Sequence, residues 1–249
     1  MSGGVRRGLF LSAAPFLGGF LLWGMLGLPG FGRYPGPYGD VLNRVAIRER
    51  HVTNVTTSVN FDYRGLDTMG EEFILFVSLA GLSLLLRTQR GEAEEGAPDC
   101  ASGRAVFPRS DAVRWLGLGL TGVTNLLGLY IVLHGQLTPG GGFQGGAILG
   151  TAAMLAYLAA GYRAFRQVSP KFLVELTEAA GAGGYVMVGL MALLLGGAFL
   201  ENILPLGKTG SLLSSGTIAL INALVGLEVS AGFVLLFTEF LQETRKRKE

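Results

Sequence analysis

Four carboxylates sit where a hydrophobic chain can least accommodate them. Asp67, Glu71 and Glu72 immediately precede the apolar run 73–86, and Glu228 lies near the middle of the run 218–236. The 73–86 run has only 14 residues, and crossing a bilayer takes about twenty. A helix ending at Arg87 must therefore begin near Asp67 and draw all three acids into its first turns. Asp67 and Glu71 are four residues apart, so they share one helical face. Two close carboxylates compete for protons, and their oxygens attract a hard cation such as sodium. Acids at membrane depth are costly and tend to line ion pathways. The chemistry these residues suit is the exchange of protons and cations, with no bond made or broken. The plainer alternative is that Asp67 and Glu71 stabilise a helix N-terminus, where anions are favoured. Arg64 can pair with Asp67 and hold it ionised, leaving Glu71 as the better exchanging site; Thr68 stands between them. Glu72 rests on depth alone. For Glu228, a neutral structural acid and a proton relay remain equally open.

A second candidate region joins two long apolar runs, 115–133 and 147–162. It reads His134-Gly-Gln-Leu-Thr138-Pro139-Gly140-Gly141-Gly142-Phe143-Gln144-Gly145-Gly146. Proline cannot continue a helix, and the glycines admit positive φ and close backbone approach. The segment is expected to turn the chain at a membrane surface. Irregular backbone at that depth is tolerated only against protein or water, so the turn calls for a partner surface or an aqueous pathway. The spacing Gly140-x-Gly142-x-x-Gly145 matches a dinucleotide-binding fingerprint. That pattern has meaning only between a strand and a helix, and here it follows a hydrophobic helix.

Composition sets the class. The chain has 249 residues, 49% apolar and 15% charged, with mean hydropathy +0.46. That balance belongs to a membrane protein. Forty glycines suit close-packed transmembrane helices. One cysteine, Cys100, excludes an intramolecular disulfide and a cysteine metal cluster. His51 and His134 are too few and too far apart for a histidine metal site, and no nucleophile–histidine–acid set suggests an enzyme. No cofactor, no metal and no nucleic acid are expected.

The chain divides into an all-α, polytopic membrane protein of about six spans. The first is 9–28, uncleaved because no small-x-small site follows it. Residues 29–66 form a loop, turn-rich at first, in which 52–61 is extended or a short surface helix. Asn54-Val-Thr56 fits a glycosylation sequon, which chance explains better. Span two ends at Arg87. A charged linker over 87–114 holds Cys100. Spans three and four are 115–133 and 143–162. Ser169-Pro170 reads as an N-cap and first-turn proline for a helix whose apolar stretch is 179–200. Glu175 and Glu178 lie in its early turns. Span six holds 218–236. Residues 1–95 thus make a two-span module with loop 29–66, 96–110 a cytoplasmic linker, and 111–249 a four-span domain. With both ends in the cytoplasm, fourteen of the 20 basic residues fall on the cytoplasmic side, as the positive-inside rule favours. The glycine-rich turn then faces outward.

The run His134, Thr138-Pro-Gly-Gly-Gly-Phe143 and Gly145-Gly146 resembles the B subunit of Mrp-type multisubunit cation/proton antiporters. Arg64-Gly-Leu-Asp-Thr-Met-Gly-Glu71 resembles a motif near the end of the large antiporter subunit, found also in the small E-type subunit of membrane-bound hydrogenases. Together the resemblances cover most of the chain, as a fusion of an E-like module with a B-like subunit. They imply a non-catalytic subunit of a Na+/H+-translocating complex in the plasma membrane, bounded by lipid and by other subunits of an antiporter or a hydrogenase-like complex. They also imply that Asp67 and Glu71 lie on the ion path. A redox-driven complex with an antiporter-like arm, or a purely structural spacer, remain the other readings.

Overall fold

In a bilayer each backbone polar group must be satisfied within its own segment, so apolar runs become helices. The computed structural model bears this out; it describes residues 3–28, 30, 32, 36–86 and 110–246. Its helices are α1 (Gly3–Leu26), α2 (Pro37–Arg50), α3 (Val55–Ser58), α4 (Gly65–Leu86), α5 (Asp111–Leu133), α6 (Gly142–Ala160), α7 (Tyr162–Val168), α8 (Lys171–Leu194) and α9 (Thr217–Lys246). A π-helical turn, Val59–Tyr63, connects α3 to α4. Among the described residues there is no strand. Helices α4, α5, α6, α8 and α9 are long and apolar enough to cross a membrane, and α1 carries a shorter apolar stretch, Leu11–Leu26. The linker with Cys100 lies outside the described residues, as does the extreme basic C-terminus.

Two compact units divide the chain, Met1–Val41 and Leu42–Glu249. The first holds α1, with Pro15 inside it. The second is a helical bundle built around α9. Half of the apolar window of α9 is buried, against 11% for α5, so α9 is the central helix and α5 a peripheral one. Helices α6, α8 and α4 all pack on α9, and α5 packs on α6.

Small residues make these contacts close, as expected where packing rather than hydrophobicity drives helix association. A Cβ on Gly146 would stand 2.8 Å from the Gly226 carbonyl oxygen of α9, and one on Gly181 would stand 2.7 Å from the Glu228 nitrogen. Gly128 and Gly145 bring α5 and α6 together in the same way. At one end of the bundle Val52, Phe61, Tyr185, Leu200, Ile218 and Ile221 close an apolar core.

The structure departs from the sequence reading at three boundaries. The glycine-rich turn ends at Gly141 rather than Gly146: α6 begins at Gly142, one residue before the expected start of span four, so Phe143, Gln144, Gly145 and Gly146 are helical. Their amides are drawn into the first turn of α6, as in the Gly145 N–H bond to the Gly141 carbonyl at 2.9 Å. Ser169 does not cap α8. Its hydroxyl donates back to the Phe165 carbonyl at 2.6 Å and closes α7, leaving Pro170 at the start of α8. Finally, α8 ends at Leu194 rather than continuing to Leu200, because Gly196 turns the chain with φ +85°. The 29–66 loop is also more helical than its composition suggests, holding α2, α3 and the π-helical turn.

Candidate functional site

The acids of α4 fall on two faces. Asp67 and Glu71 point outward, and both are exposed in this chain. The Arg64 Nε donates to an Asp67 carboxylate oxygen at 2.6 Å, and both side chains are more than half exposed. Thr68 and Glu72, four apart, turn inward with Leu75 and Leu79 on the face that meets Gly232 of α9. Glu72 is only 2% exposed, and one of its carboxyl oxygens has no hydrogen-bond partner among the described residues.

Glu228 is 1% exposed, and among the described residues neither of its carboxyl oxygens has a hydrogen-bond partner. Its position follows from the α8–α9 crossing: Gly181 allows α8 to lie directly on the backbone and Cβ of Glu228. Half-buried Glu178 stands one turn before Gly181 on α8. Glu72, Glu228 and Glu178 thus lie on α4, α9 and α8, and both α4 and α8 pack on α9. Among the described residues neither Glu72 nor Glu228 makes an ion pair. A carboxylate so enclosed costs several kcal/mol unless a proton or a cation compensates it. Buried carboxyls of this kind suit the exchange of a proton or an alkali cation. Among the described residues no group of three or more acidic, histidine or cysteine side chains is placed to hold a metal ion.

The glycine-rich turn, now His134–Gly141, finds its polar partners within the chain. The Asn54 side-chain amide donates to the carbonyls of Gly135 and Thr138 at 2.8 and 2.9 Å. The Thr57 hydroxyl donates to the Gly135 carbonyl at 2.7 Å, and the Thr53 and Asn54 amides both donate to the Gln136 carbonyl. Segment 52–58 of the same chain thus meets several of the turn's carbonyls, and Asn54 is committed to the turn rather than to a glycan. From the other side Asn222 of α9 accepts the Gly142 N–H at 2.7 Å and donates to the Val132 carbonyl. Gly140 and Gly141 have φ of +129° and +146°, which explains glycine at both. Pro139 is exposed, and Thr138 is half-buried with its hydroxyl on the His134 carbonyl. His134 ends α5, stacked on Tyr130 with ring centroids 4.1 Å apart. Phe143 and Gln144 project outward from the first turn of α6.

A polar clasp joins the 50–63 segment to the α8–α9 loop. Arg50 Nε donates to Asp62 at 2.6 Å, and Asn202 bridges Asp62, the Ser215 carbonyl and the first amide of α9. Burial lowers the proton affinity of the Arg50 guanidinium, but the Asp62 carboxylate more than offsets this and the net shift is upward. Burial, and then its hydrogen bond to Glu49, push the Tyr63 phenol up to about 12. His51 Nδ1, 2.6 Å from the Gly207 carbonyl, must donate there.

The sequence reading missed Asn222, Gln136 and Glu178 as site residues. Each is detectable in one respect: a polar side chain inside or at the edge of an apolar run.

Comparison with known proteins agrees with this architecture. Residues 113–235 match the family described as a domain related to the MnhB subunit of Na+/H+ antiporter. An uncharacterized protein of Methanocaldococcus jannaschii is 32% identical over 207 residues, covering 77% of this chain and 78% of that protein. A probable K+/H+ antiporter A/B subunit of Rhizobium meliloti is 31% identical over 137 residues, 47% of this chain but 13% of that much longer protein. Among solved structures, a chain of the membrane-bound sulfane sulfur reductase, an archaeal respiratory membrane complex, matches with TM-score 0.67 and 31% identity; the match covers 95% of this chain and 98% of that one. A chain of the Mrp complex from Dietzia sp. DQ12-45-1b matches with TM-score 0.68 and 26% identity, over 96% of this chain and 26% of that one. With its five long apolar helices and this set of relatives, the chain is a multi-pass, antiporter-like membrane protein whose residues 113–235 belong to the MnhB-related family.

Proposed function

We propose that this chain is a non-catalytic subunit of a multisubunit complex that exchanges protons for an alkali cation across the plasma membrane, and that Glu72 and Glu228 belong to its ion path. The observation that carries the reading is the pair itself: two buried carboxyls on facing helices at membrane depth, without an ion pair among the described residues. A carboxyl retained in such a place is a functional site by default. Asp67 and Glu71 sit on the outward face of the same helix, where lipid cannot stabilise them, and they extend the path toward a neighbouring subunit. Arg64 holds Asp67, and Thr68 flanks Glu72. The sodium ion follows from the family description, while the Rhizobium relative carries potassium in its name; both are alkali cations with the same need for oxygen ligands.

The test is Glu72→Gln and Glu228→Gln, made singly in the assembled complex. Cation-dependent proton flux should fall at least about tenfold, a change of roughly 1.4 kcal/mol in the barrier, while subunit content stays normal. Two assembled variants with parental flux would leave the chain as a structural spacer.

A second reading has its own support. This chain matches nearly the whole of one respiratory-complex chain but only a quarter of the Mrp chain. On that reading the parent assembly is redox-driven and this subunit serves its translocating arm. Iron–sulfur centres co-purifying with the chain in mild detergent would select it, and a complex without iron would select the antiporter.

A further inference from the structure

We propose that the outward face of α4 is where a transmembrane helix of another subunit docks, and that this helix presents a lysine or arginine to Glu71. The inference rests on the reading of the chain as one subunit of a membrane complex and names the chemistry of its neighbour.

The depth of Glu71 carries the argument. Helices α4 and α9 start at the same end of the bundle. Leu200 packs on Gly65 at the start of α4, and Asn202, two residues on, accepts the Thr217 N–H at the start of α9. The Tyr185 hydroxyl fixes the α4 start from the α8 side by donating to the Gly65 carbonyl at 2.8 Å. Further along, Leu75 and Leu79 of α4 close on Gly232 of α9, where a Cβ would stand 2.6 Å from Leu79 Cδ1. Glu72 precedes Leu75 by one turn, and Glu228 precedes Gly232 by one turn, so the two buried acids lie at about the same level. The apolar length of α9 runs from Thr217 to Leu241. Glu228 stands about 17 Å from one end of it and about 20 Å from the other, at 1.5 Å per residue. A hydrocarbon core is about 30 Å thick. Glu228 is therefore near the middle of the bilayer, and Glu71, the neighbour of Glu72, is there with it.

Glu72 turns into the bundle, whereas Glu71 is exposed. Among the described residues Glu71 has no ion-pair partner. A carboxylate facing hydrocarbon at that depth is costly, so something outside this chain covers it. The rest of the face says what. Asp67 is matched by Arg64, so the acids of this face exceed its bases by the one charge on Glu71. Gly70 and Gly81, three turns apart, lie on the same side of α4, and a Cβ on either meets nothing within 4 Å. Small residues in such places let a second helix backbone come close. A helix with one base at the level of Glu71 answers both features. A lipid tail leaves the carboxylate unpaired, and so does a wholly apolar helix.

The experiment uses the intact complex in native membranes. A photo-crosslinking benzophenone amino acid is placed at Ile74 or at Ser78, both exposed on the side of α4 that carries Glu71. Light should join either position to one membrane helix of another subunit, and the Ile74 adduct should lie within about two turns of a lysine or arginine. Adducts to lipid alone, to α1 of the same chain, or to a helix without a base overturn the proposal. In a second arm Glu71→Lys sets like charges together. It should reduce the co-purifying neighbour at least about tenfold, and exchange of the crosslinked base for glutamate should restore it. An undiminished neighbour in Glu71→Lys overturns the ion pair. The thermal midpoint of the purified Glu71→Lys chain should stay at the parental value, which separates lost docking from misfolding; if that variant misfolds, the crosslinks decide. None of these readouts is ion flux, so this proposal and the roles of Glu72 and Glu228 fail independently.

Discussion

Asn222 illustrates how much a single neutral side chain can carry in a membrane bundle. It lies in the apolar opening of α9, fully buried, and bonds the last turn of α5 and the first amide of α6 at once. It also fills the space that a Cβ on Gly135 would need. In Asn222→Leu the Gly142 N–H would be left buried without its partner, costing about 1–3 kcal/mol, and the Val132 carbonyl would keep only the long bond from the Gly135 N–H, at 3.4 Å. We expect a clear fall in the thermal midpoint of the detergent-solubilised chain, measured by fluorescence-detected size exclusion after heating, whereas Gln144→Leu, at an exposed position, should leave the midpoint unchanged. The residue was legible only as a polar letter in a hydrophobic word. Its partners are some eighty and ninety positions earlier in the chain, and nothing local announces them. The carboxylates show the same limit. Their depth could be read from the short apolar run after Glu72, but which face of α4 turns inward depends on α9, a partner far along the chain. The spacing of Asp67 and Glu71 placed them on one face correctly; that Glu72 occupies the protein-facing side required the packing.

At the scale of elements, the glycines decide which helices touch. Periodicity and run length located the five long helices well, since a bilayer leaves few other structures possible. The register between helices was not legible, because a glycine in a sequence looks the same whether it faces a neighbour or open space. The structure separates the two kinds. A Cβ on Gly146 or Gly181 would run into the backbone of α9, at the Gly226 oxygen or the Glu228 nitrogen, which cannot move without shifting the helix. A Cβ on Gly70 or Gly183 meets nothing within 4 Å. We therefore expect Gly146→Ala and Gly181→Ala to lower stability by roughly 1–3 kcal/mol through overpacking. Gly70→Ala and Gly183→Ala should be neutral or gain up to about 1 kcal/mol from helix propensity. Urea or thermal unfolding of the purified chain separates the pairs, and equal losses in all four would mean that the α6–α9 and α8–α9 crossings are not close. Turn 134–141 and segment 52–58 could not be paired from sequence, because the bonds between them are made one by one rather than by a repeating pattern.

For the whole molecule the open quantity is orientation, and charge is what sets it. If α1 crosses the membrane along with α4, α5, α6, α8 and α9, the number of spans is even and both ends lie on one side. If α1 does not cross, the count is five and the ends lie on opposite sides. The apolar stretch Leu11–Leu26 is shorter than the others, yet α1 as a whole has 24 residues, about 36 Å at 1.5 Å per residue, enough to reach across a hydrocarbon core of about 30 Å. With six spans and both ends inside, the cytoplasmic segments hold Arg6 and Arg7, five arginines from Arg87 to Arg114, then Arg163, Arg166 and Lys171, and four basic residues at the C-terminus. The opposite face is left with six: Arg33, Arg44, Arg48, Arg50, Arg64 and Lys208. Of these, Arg50 and Arg64 are paired with Asp62 and Asp67, which weakens their pull on topology little, since acids count for less than bases in the rule. The number of bases still favours the assigned side by more than two to one. We expect a cytoplasmic-active fluorescent reporter to be bright at either terminus, and a periplasm-active phosphatase reporter to be active only when inserted in the 29–66 segment or in the loops near Lys208 or Pro139. A phosphatase signal at the N-terminus with a fluorescent C-terminus would place α1 outside the membrane. It would leave the five-helix bundle intact but remove the even topology on which the outward position of the turn depends.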